Sequence, residues 1–503
     1  MKLRSIAIAA AALVASSAFA APINVDAPGT VRIYMSGASA VRAALGSVVL
    51  NDVCGGLANN SATIYNATYD AAGGFKTVGN FWAVTCKLPA AKLGLAAGTD
   101  VAFFKSDAGG SAQGVFPVYF GTARPFAEVT ACTTGSGQVF GSCPGTRMAV
   151  PSLGMSDVEP AMFKGSNVPT DPLDAADDNY PLDGLSPAQI AALKVTPVIQ
   201  TVFGVAVNTN LYNDMFAKQG LSAVKDNAGG ACTTSSSDEQ CIPSIGKAQA
   251  RTFFAGQANN WTLVSGNAAL VDSQVNICRR VNGSGTQAAA NLMFGDLPCG
   301  SAPQPSAIWD VSTSAAPDDM SSSASTTAGG LSIANYLVAN MGGAATGPMP
   351  SGSLFVFEGP GTGDVVSCMN QAQKSGGYAI GHISKENAPG SNSWKHVRLE
   401  GAVANGTNAK QGRYDYLFES TIQYNKSAFA ALTANQRAFI TGFTAEVAKP
   451  SALATLSAAN QAGVLALPTS YAGAFGTGTA AEIAFGSRVN RGGNSCQPLT
   501  AAK

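Results

Sequence analysis

The chain has 503 residues, 30 basic against 30 acidic side chains and two histidines, and only 12% of it is charged. That balance excludes a broad basic surface for nucleic acid, so any anion site here rests on local geometry rather than on a long-range positive field. The length exceeds one ordinary domain, and 56 glycines with few charges predict a loop-rich α/β protein of at least two lobes.

Met1-Lys2-Leu3-Arg4, an apolar run from Ile6 to Val14 and then Ala18-Phe19-Ala20 read as a basic n-region, a short h-region and a small-x-small cleavage site. This predicts a secretory signal peptide over 1–20, cut after Ala20, and a periplasmic or secreted protein. The run is too short to span a bilayer, and no later stretch reads as a membrane span. Lys2 and Arg4 leave with the signal, so the remaining chain has a formal charge of −2.

Thr30 to Met35 is a strand by β-branched and aromatic content, Ser36-Gly37-Ala38-Ser39 is a turn, and Ala40 to Val49 is predicted helical. A second strand, Val101 to Phe104, runs into Lys105-Ser106-Asp107-Ala108-Gly109-Gly110-Ser111. A third short element ends at Gly154-Met155-Ser156-Asp157. Three strands therefore end in Gly/Ser/Asp turns, the place where open α/β sheets bind ligands. Ser186-Pro187 starts a helix with a Ser N-cap and Pro at N1. The extended run Thr196 to Asn208 is predicted to cross between lobes, and Gly376 to Ile383 to cross back. Lys247 to Phe254 is a helix, and the Ser/Thr/Gly-rich 311–330 reads as a mobile surface insertion. Asp174 to Asp178 reads as a solvated acidic loop without calcium-loop spacing.

Ten cysteines, all outside the signal, predict disulfides in an exported chain. No C-x-x-C pair occurs, and His382 and His396 are not at a ligand spacing, which disfavours a metal site. Sequential pairing gives 54–86, 132–143, 232–241, 278–299 and 368–496, although spacing alone leaves other connectivities open.

The densest chemistry lies at Arg279-Arg280-Val281-Asn282-Gly283-Ser284-Gly285-Thr286, ahead of the helical run Ala288 to Phe294. A helix start offers unpartnered N–H groups and the positive end of its dipole, glycines allow close backbone approach, and an arginine fork matches an oxyanion. The same residues also read as a flexible loop ending in a Thr N-cap.

The order of these motifs resembles the periplasmic phosphate-binding proteins of ABC importers, in the type II periplasmic binding protein superfamily. Ile33 to Ala40 looks like that family's first phosphate loop, Gly109 to Val115 its second, and Gly154 to Asp157 its Gly-x-Ser-Asp loop. Ala248 to Phe254 with Gly256 and Asn260-Trp261 is similar to its helix-Gly-x-x-x-Asn-Trp element. Arg280 to Thr286 matches its Arg-x-x-Gly-Ser-Gly-Thr loop, and Gly363 to Val366 with Tyr378 to Gly381 resembles its late helix and strand, His382 standing in place of a tyrosine. The resemblance implies an α/β, two-lobe fold of type II, each lobe a mixed sheet flanked by helices, here with disulfide-stapled insertions. Its lobes would be 21–200 with 385–503, and 201–384.

The resemblance also implies an inorganic-phosphate site without cofactor or metal. Ser39 would supply a hydroxyl, Ala40 a backbone N–H, Ser111 a further donor and Arg280 the cation. Ser284, Gly285 and Thr286 would supply hydroxyls and N–H groups from the other lobe. Asp157 would accept the hydrogen of a phosphate P–OH. Sulfate has no such hydrogen, and an unpaired buried carboxylate costs roughly 3–5 kcal/mol, about 100-fold or more in affinity. Asp107 ranks below Asp157 as the acceptor, Arg279 reads as a surface charge, and Ser39 also reads as a helix cap. The expected protein is not an enzyme: it is a monomeric binding protein that presents phosphate to an ABC permease in the inner membrane. Two further readings are a secreted surface or matrix protein that keeps the fold, and an exported phosphoesterase. The second lacks a Gly-x-Ser-x-Gly elbow.

Overall fold

The computed structural model describes residues 22–70, 74–132, 134–169, 180–300, 354–359, 361–374, 376–461 and 463–503, with three isolated strand pairs of residues at 318–319, 327–328 and 331–332. The signal segment, the acidic 174–178 cluster and most of 311–330 lie outside these residues. Ten strands form the frame: β1 Val31–Gly37, β2 Thr63–Tyr65, β3 Phe81–Lys87, β4 Asp100–Ser106, β5 Leu153–Ser156, β6 Leu193–Asn208, β7 Val275–Arg280, β8 Leu354–Gly359, β9 Ala379–Ser384 and β10 Leu417–Asn425. The helices that matter to the site are α1 Arg42–Ser47, α2 Phe116–Phe120, α3 Lys247–Phe254, α4 Gly285–Gly295, α5 Thr362–Lys374 and α6 Ala434–Val447.

Hydrogen-bonded neighbours run in the order β8-β7-β9-β6-β10-β5-β1-β4-β3-β2. At one end β1 is parallel to both β4 and β5, and at the other β7 is parallel to both β8 and β9. The 16-residue β6 joins the two ends. Its first part, Leu193 to Val202, pairs with β10, and Phe203 to Val207 pair with β9. The extended run expected at Thr196–Asn208 therefore lies within one strand, with Pro197 tolerated at an irregularity in register.

Strands of the parallel ends are covered on both faces, which is why they read as apolar runs rather than alternating ones. Ile33, Met35, Val101 and Phe103 pack with Phe439, Ile440 and Phe443 of α6. The intervening Ala102 and Phe104 pack on the opposite face with Phe126. Likewise Val275 and Ile277 of β7 face Ala288, Ala289 and Leu292 of α4, while Cys278 faces Val365, Cys368 and Met369 of α5. The architecture is mixed α/β, a large mixed sheet flanked by helices. Among the described residues no helix is long and apolar enough to cross a membrane.

Five disulfides are formed. The pairs 54–86, 132–143 and 232–241 are as expected. The expected 278–299 and 368–496 are not: Cys278 bonds Cys368, and Cys299 bonds Cys496. Cys278 is inside β7, on the face covered by α5, so the partner at hand is the α5 cysteine and not the one beyond α4. The predicted helix over Ala40 to Val49 is also shifted along the chain. It starts at Arg42 and passes after Ser47 into a wider turn over Val48–Val53.

Candidate functional site

The carboxyl ends of β5, β1 and β4 lie side by side. Gly37 is in register with Met155, and Ser36 with Ser106, so the turns holding Ser39, Asp157 and Asp107–Ser111 leave the sheet at one edge. Backbone contact fixes them there. A Cβ on Gly37 would stand 2.1 Å from the Met155 carbonyl oxygen, and one on Gly154 1.8 Å from that of Gly114. Only glycines let the short turn Ser111–Gly114 lie directly on β1 and β5.

That turn brings Ser111 to Asp157. The Ser111 hydroxyl donates to Asp157 Oδ2 at 3.2 Å and accepts the Asp157 backbone N–H at 3.1 Å. The hydroxyl assigned to a ligand is thus spent on orienting the carboxylate. Asp157 is 1% exposed, and its second oxygen, Oδ1, meets no donor among the described residues. Burial pushes its carboxyl up to about 6, against the lowering pull of Ser111, Arg280 and Lys105.

Asp107, the rival acceptor, is already occupied. Its Oδ2 takes Trp82 Nε1 at 2.7 Å and its Oδ1 takes Lys105 Nζ at 2.6 Å. Lys105 is wholly buried and also donates to the carbonyls of Gly37 at 2.6 Å and Ala38 at 3.2 Å. A buried ammonium with this set of acceptors is a scaffold for the Ser36–Ser39 turn. Sequence reading passed over it because a lysine in a Lys-Ser-Asp triplet looks like any turn charge.

On the facing side, β7 delivers Arg280 and the chain then turns into α4. Ser284 is the N-cap, its hydroxyl accepting the Gln287 N–H, so the alternative of a Thr286 cap does not hold. Gly285 and Thr286 occupy the first turn, and among the described residues no acceptor meets their N–H groups. Gly285 sits hard against the opposite turn. A Cβ there would be 2.1 Å from Ser111 Oγ and 2.4 Å from Asp157 Oδ2. The Ala112 N–H donates to the Gly283 carbonyl at 2.9 Å, which closes the two sides on each other.

Arg280 is 1% exposed; burial lowers its guanidinium to about 10, Arg42 adds to the lowering, and Asp364 and Asp157 oppose it. Arg279, expected at the surface, is 3% exposed instead. Strand alternation puts it beside Ile277 on the α4 face, where with His382, Gln287 and Asn291 it lines a small pocket. Buried His382 is held neutral, its ring pushed down to about 3 by burial and by Arg279 and Arg280. Ser39, 6% exposed, does not cap α1; Val41 is the N-cap position and no side chain bonds there. Its hydroxyl and the Ala40 N–H have no protein partner among the described residues. The Ser39 carbonyl accepts the N–H of Arg42 at 3.3 Å and its Nε at 3.2 Å.

Arg42 is a second cation of the site that sequence reading missed. It is felt by Arg280, Lys105 and Glu386. A signal existed, since an arginine in the first turn of a helix opposes the dipole and suits an anion placed nearby. Glu386, just after β9, was also missed; burial raises its carboxyl well above the usual range, and Arg42, Asp157 and Asp107 act on it. No cluster of three metal-ligating side chains exists among the described residues.

No family model matches the chain, and neither does any curated protein sequence. Solved structures similar to it include a phosphate ABC transporter substrate-binding protein from Clostridium perfringens with bound phosphate: 13% identity, TM-score 0.39, over 86% of this chain and 98% of that one. An ABC-type phosphate transport receptor from Vibrio cholerae is 12% identical at TM-score 0.34, over 82% of this chain and 93% of that one. A phosphate-binding protein from Stenotrophomonas maltophilia is 10% identical at TM-score 0.34, over 83% and 84%. At such TM-scores the ligand must be argued from the site itself.

Proposed function

We propose that the chain binds inorganic phosphate between the Ser39/Asp157 turns and the Gly283–Thr286 turn, and that it serves as an exported substrate-binding protein for ABC-type uptake. One observation carries the reading: a buried carboxylate oxygen, Asp157 Oδ1, has no donor among the described residues, beside the Arg280 cation and the first-turn N–H groups of α4. The cation and N–H groups call for an anion, and the carboxylate calls for a hydrogen-bond donor. A single guest that is both is a protonated oxyanion, and near neutral pH hydrogen phosphate is one. Sulfate satisfies the first demand and violates the second.

Ser39, Ala40, Gly285 and Thr286 then supply hydrogen bonds, Arg280 the charge, Ser284 the cap that frees the α4 turn, and Ser111 the orientation of Asp157. The lobes divide at 200/201, within β6, and at 384/385, after β9. Titration calorimetry on phosphate-stripped protein tests the reading. Heat is expected with phosphate at micromolar concentration and none with sulfate at pH 7.5; equal response to both anions, or to neither, ends it.

A further inference from the structure

Three contacts pin α4 along its length to the side of the cleft that carries Asp157. At its start, the Ala112 N–H reaches the Gly283 carbonyl at 2.9 Å, and Gly110 and Ser284 touch backbone to backbone. At its middle, the Asn291 amide donates to Asn167 Oδ1 at 2.8 Å, and both side chains are buried. Beyond its end, Cys299 is bonded to Cys496 of the C-terminal tail.

That tail is itself fastened to the Asp157 side. The Ser495 N–H donates to Glu159 Oε1 at 2.7 Å, and its hydroxyl donates to Oε2. Glu159 stands two residues after Asp157. The Gly493 N–H donates to Glu419 Oε2 at 2.6 Å, and Arg491 Nη2 to the Asp415 carbonyl at 2.9 Å. Gln200 Nε2 of β6 donates to the Val489 carbonyl at 2.7 Å. With one peptide link to Cys496 and a disulfide that spans 5.4 Å between Cα atoms, Ser495 stays within roughly 9 Å of Cys299.

We infer that the tail is a strap with no slack. It holds α4 against the Asp157 side whether or not the site is filled, so that a bound anion leaves slowly. The inference rests on the phosphate reading for the identity of the anion, but not for the strap. A receptor that exchanges its cargo by free hinge opening needs its two sides to part; here a covalent link and a hydrogen-bonded anchor on adjacent residues oppose that.

The test compares the full exported chain with two variants. One inserts Gly-Ser-Gly between Ser495 and Cys496, which keeps the disulfide and gives the strap slack. The other is Cys299→Ala with Cys496→Ala. Small-angle scattering of the phosphate-stripped proteins reads opening, and a fluorescent phosphate scavenger in stopped flow reads release. The expected result is an unchanged radius of gyration for the parent on adding phosphate, expansion of both stripped variants, and release at least tenfold faster from them. Parent-like release and scattering from the slack variant would overturn the strap, as would a parent that already expands when stripped. If no form binds phosphate while the stripped slack variant still expands, the ligand assignment fails and the strap stands.

Discussion

Asp157→Asn preserves the side chain's shape and removes its charge, and the structure sets the size of three separate effects. Burial raises this carboxyl from 3.8 to about 6. A carboxyl raised on folding favours the protonated form. Its contribution to stability is complete below pH 3.8 and is lost as pH rises through about 6, leaving the ionised fold about 3 kcal/mol worse off at pH 8. The asparagine variant escapes that cost. Stripped of phosphate, it should melt higher than the parent at pH 8 and equally at pH 4. In binding, the variant exchanges a charge-assisted hydrogen bond from P–OH for a neutral one, a loss of about 1–1.5 kcal/mol or roughly tenfold in phosphate affinity. Sulfate no longer meets a buried unpaired charge and gains roughly 3 kcal/mol, about 100-fold. The preference for phosphate should therefore fall by about a thousandfold. Paired titrations with both anions and melting curves at the two pH values check this. An unchanged preference, or a stripped variant less stable than the parent at pH 8, would refute the role given to Asp157.

Gly285→Ala should abolish micromolar phosphate binding although alanine favours a helix, because the added Cβ falls 2.1 Å from Ser111 Oγ and 2.4 Å from Asp157 Oδ2; calorimetry showing parent-like affinity would contradict the closed geometry. Lys105→Met should destabilise the fold by about 3–5 kcal/mol, since it strips the buried Asp107 carboxylate of its cation and the Gly37 and Ala38 carbonyls of a donor. Denaturant unfolding with a midpoint near the parent's would show that Lys105 is not needed there. Proteolytic mapping of the non-reduced protein should recover peptides linking Cys278 to Cys368 and Cys299 to Cys496; a 278–299 peptide would break both the packing of α5 on β7 and the strap.

Local chemistry was legible from the residues. The strand-and-turn pattern at Ile33–Ala40 and the glycines of the Gly283–Thr286 turn each follow from short-range rules, and so do the helix at Lys247–Phe254 and the two disulfides that close short loops. The extended stretch Thr196–Asn208 was also visible, because a long run rich in β-branched residues has little else to become. Whatever depends on which distant surfaces meet was not. Arg279 and Arg280 are identical neighbours in sequence, and only the opposite faces of β7 give them different surroundings. Asp107 and Asp157 are both carboxylates in Ser/Gly turns; Trp82, on the adjacent β3, and Lys105 satisfy the first, whereas the packing of Gly285 and Ser111 leaves an oxygen of the second open.

By itself, then, the sequence determined the types of group available and the turns that present them, because caps, glycine conformations and strand runs are settled within a few residues. The tertiary structure alone decided which carboxylate lacks a donor, which arginine is buried against which helix, and which cysteines pair. Desolvation, close backbone contact and cross-linking act between segments that the chain brings together from tens to hundreds of positions apart.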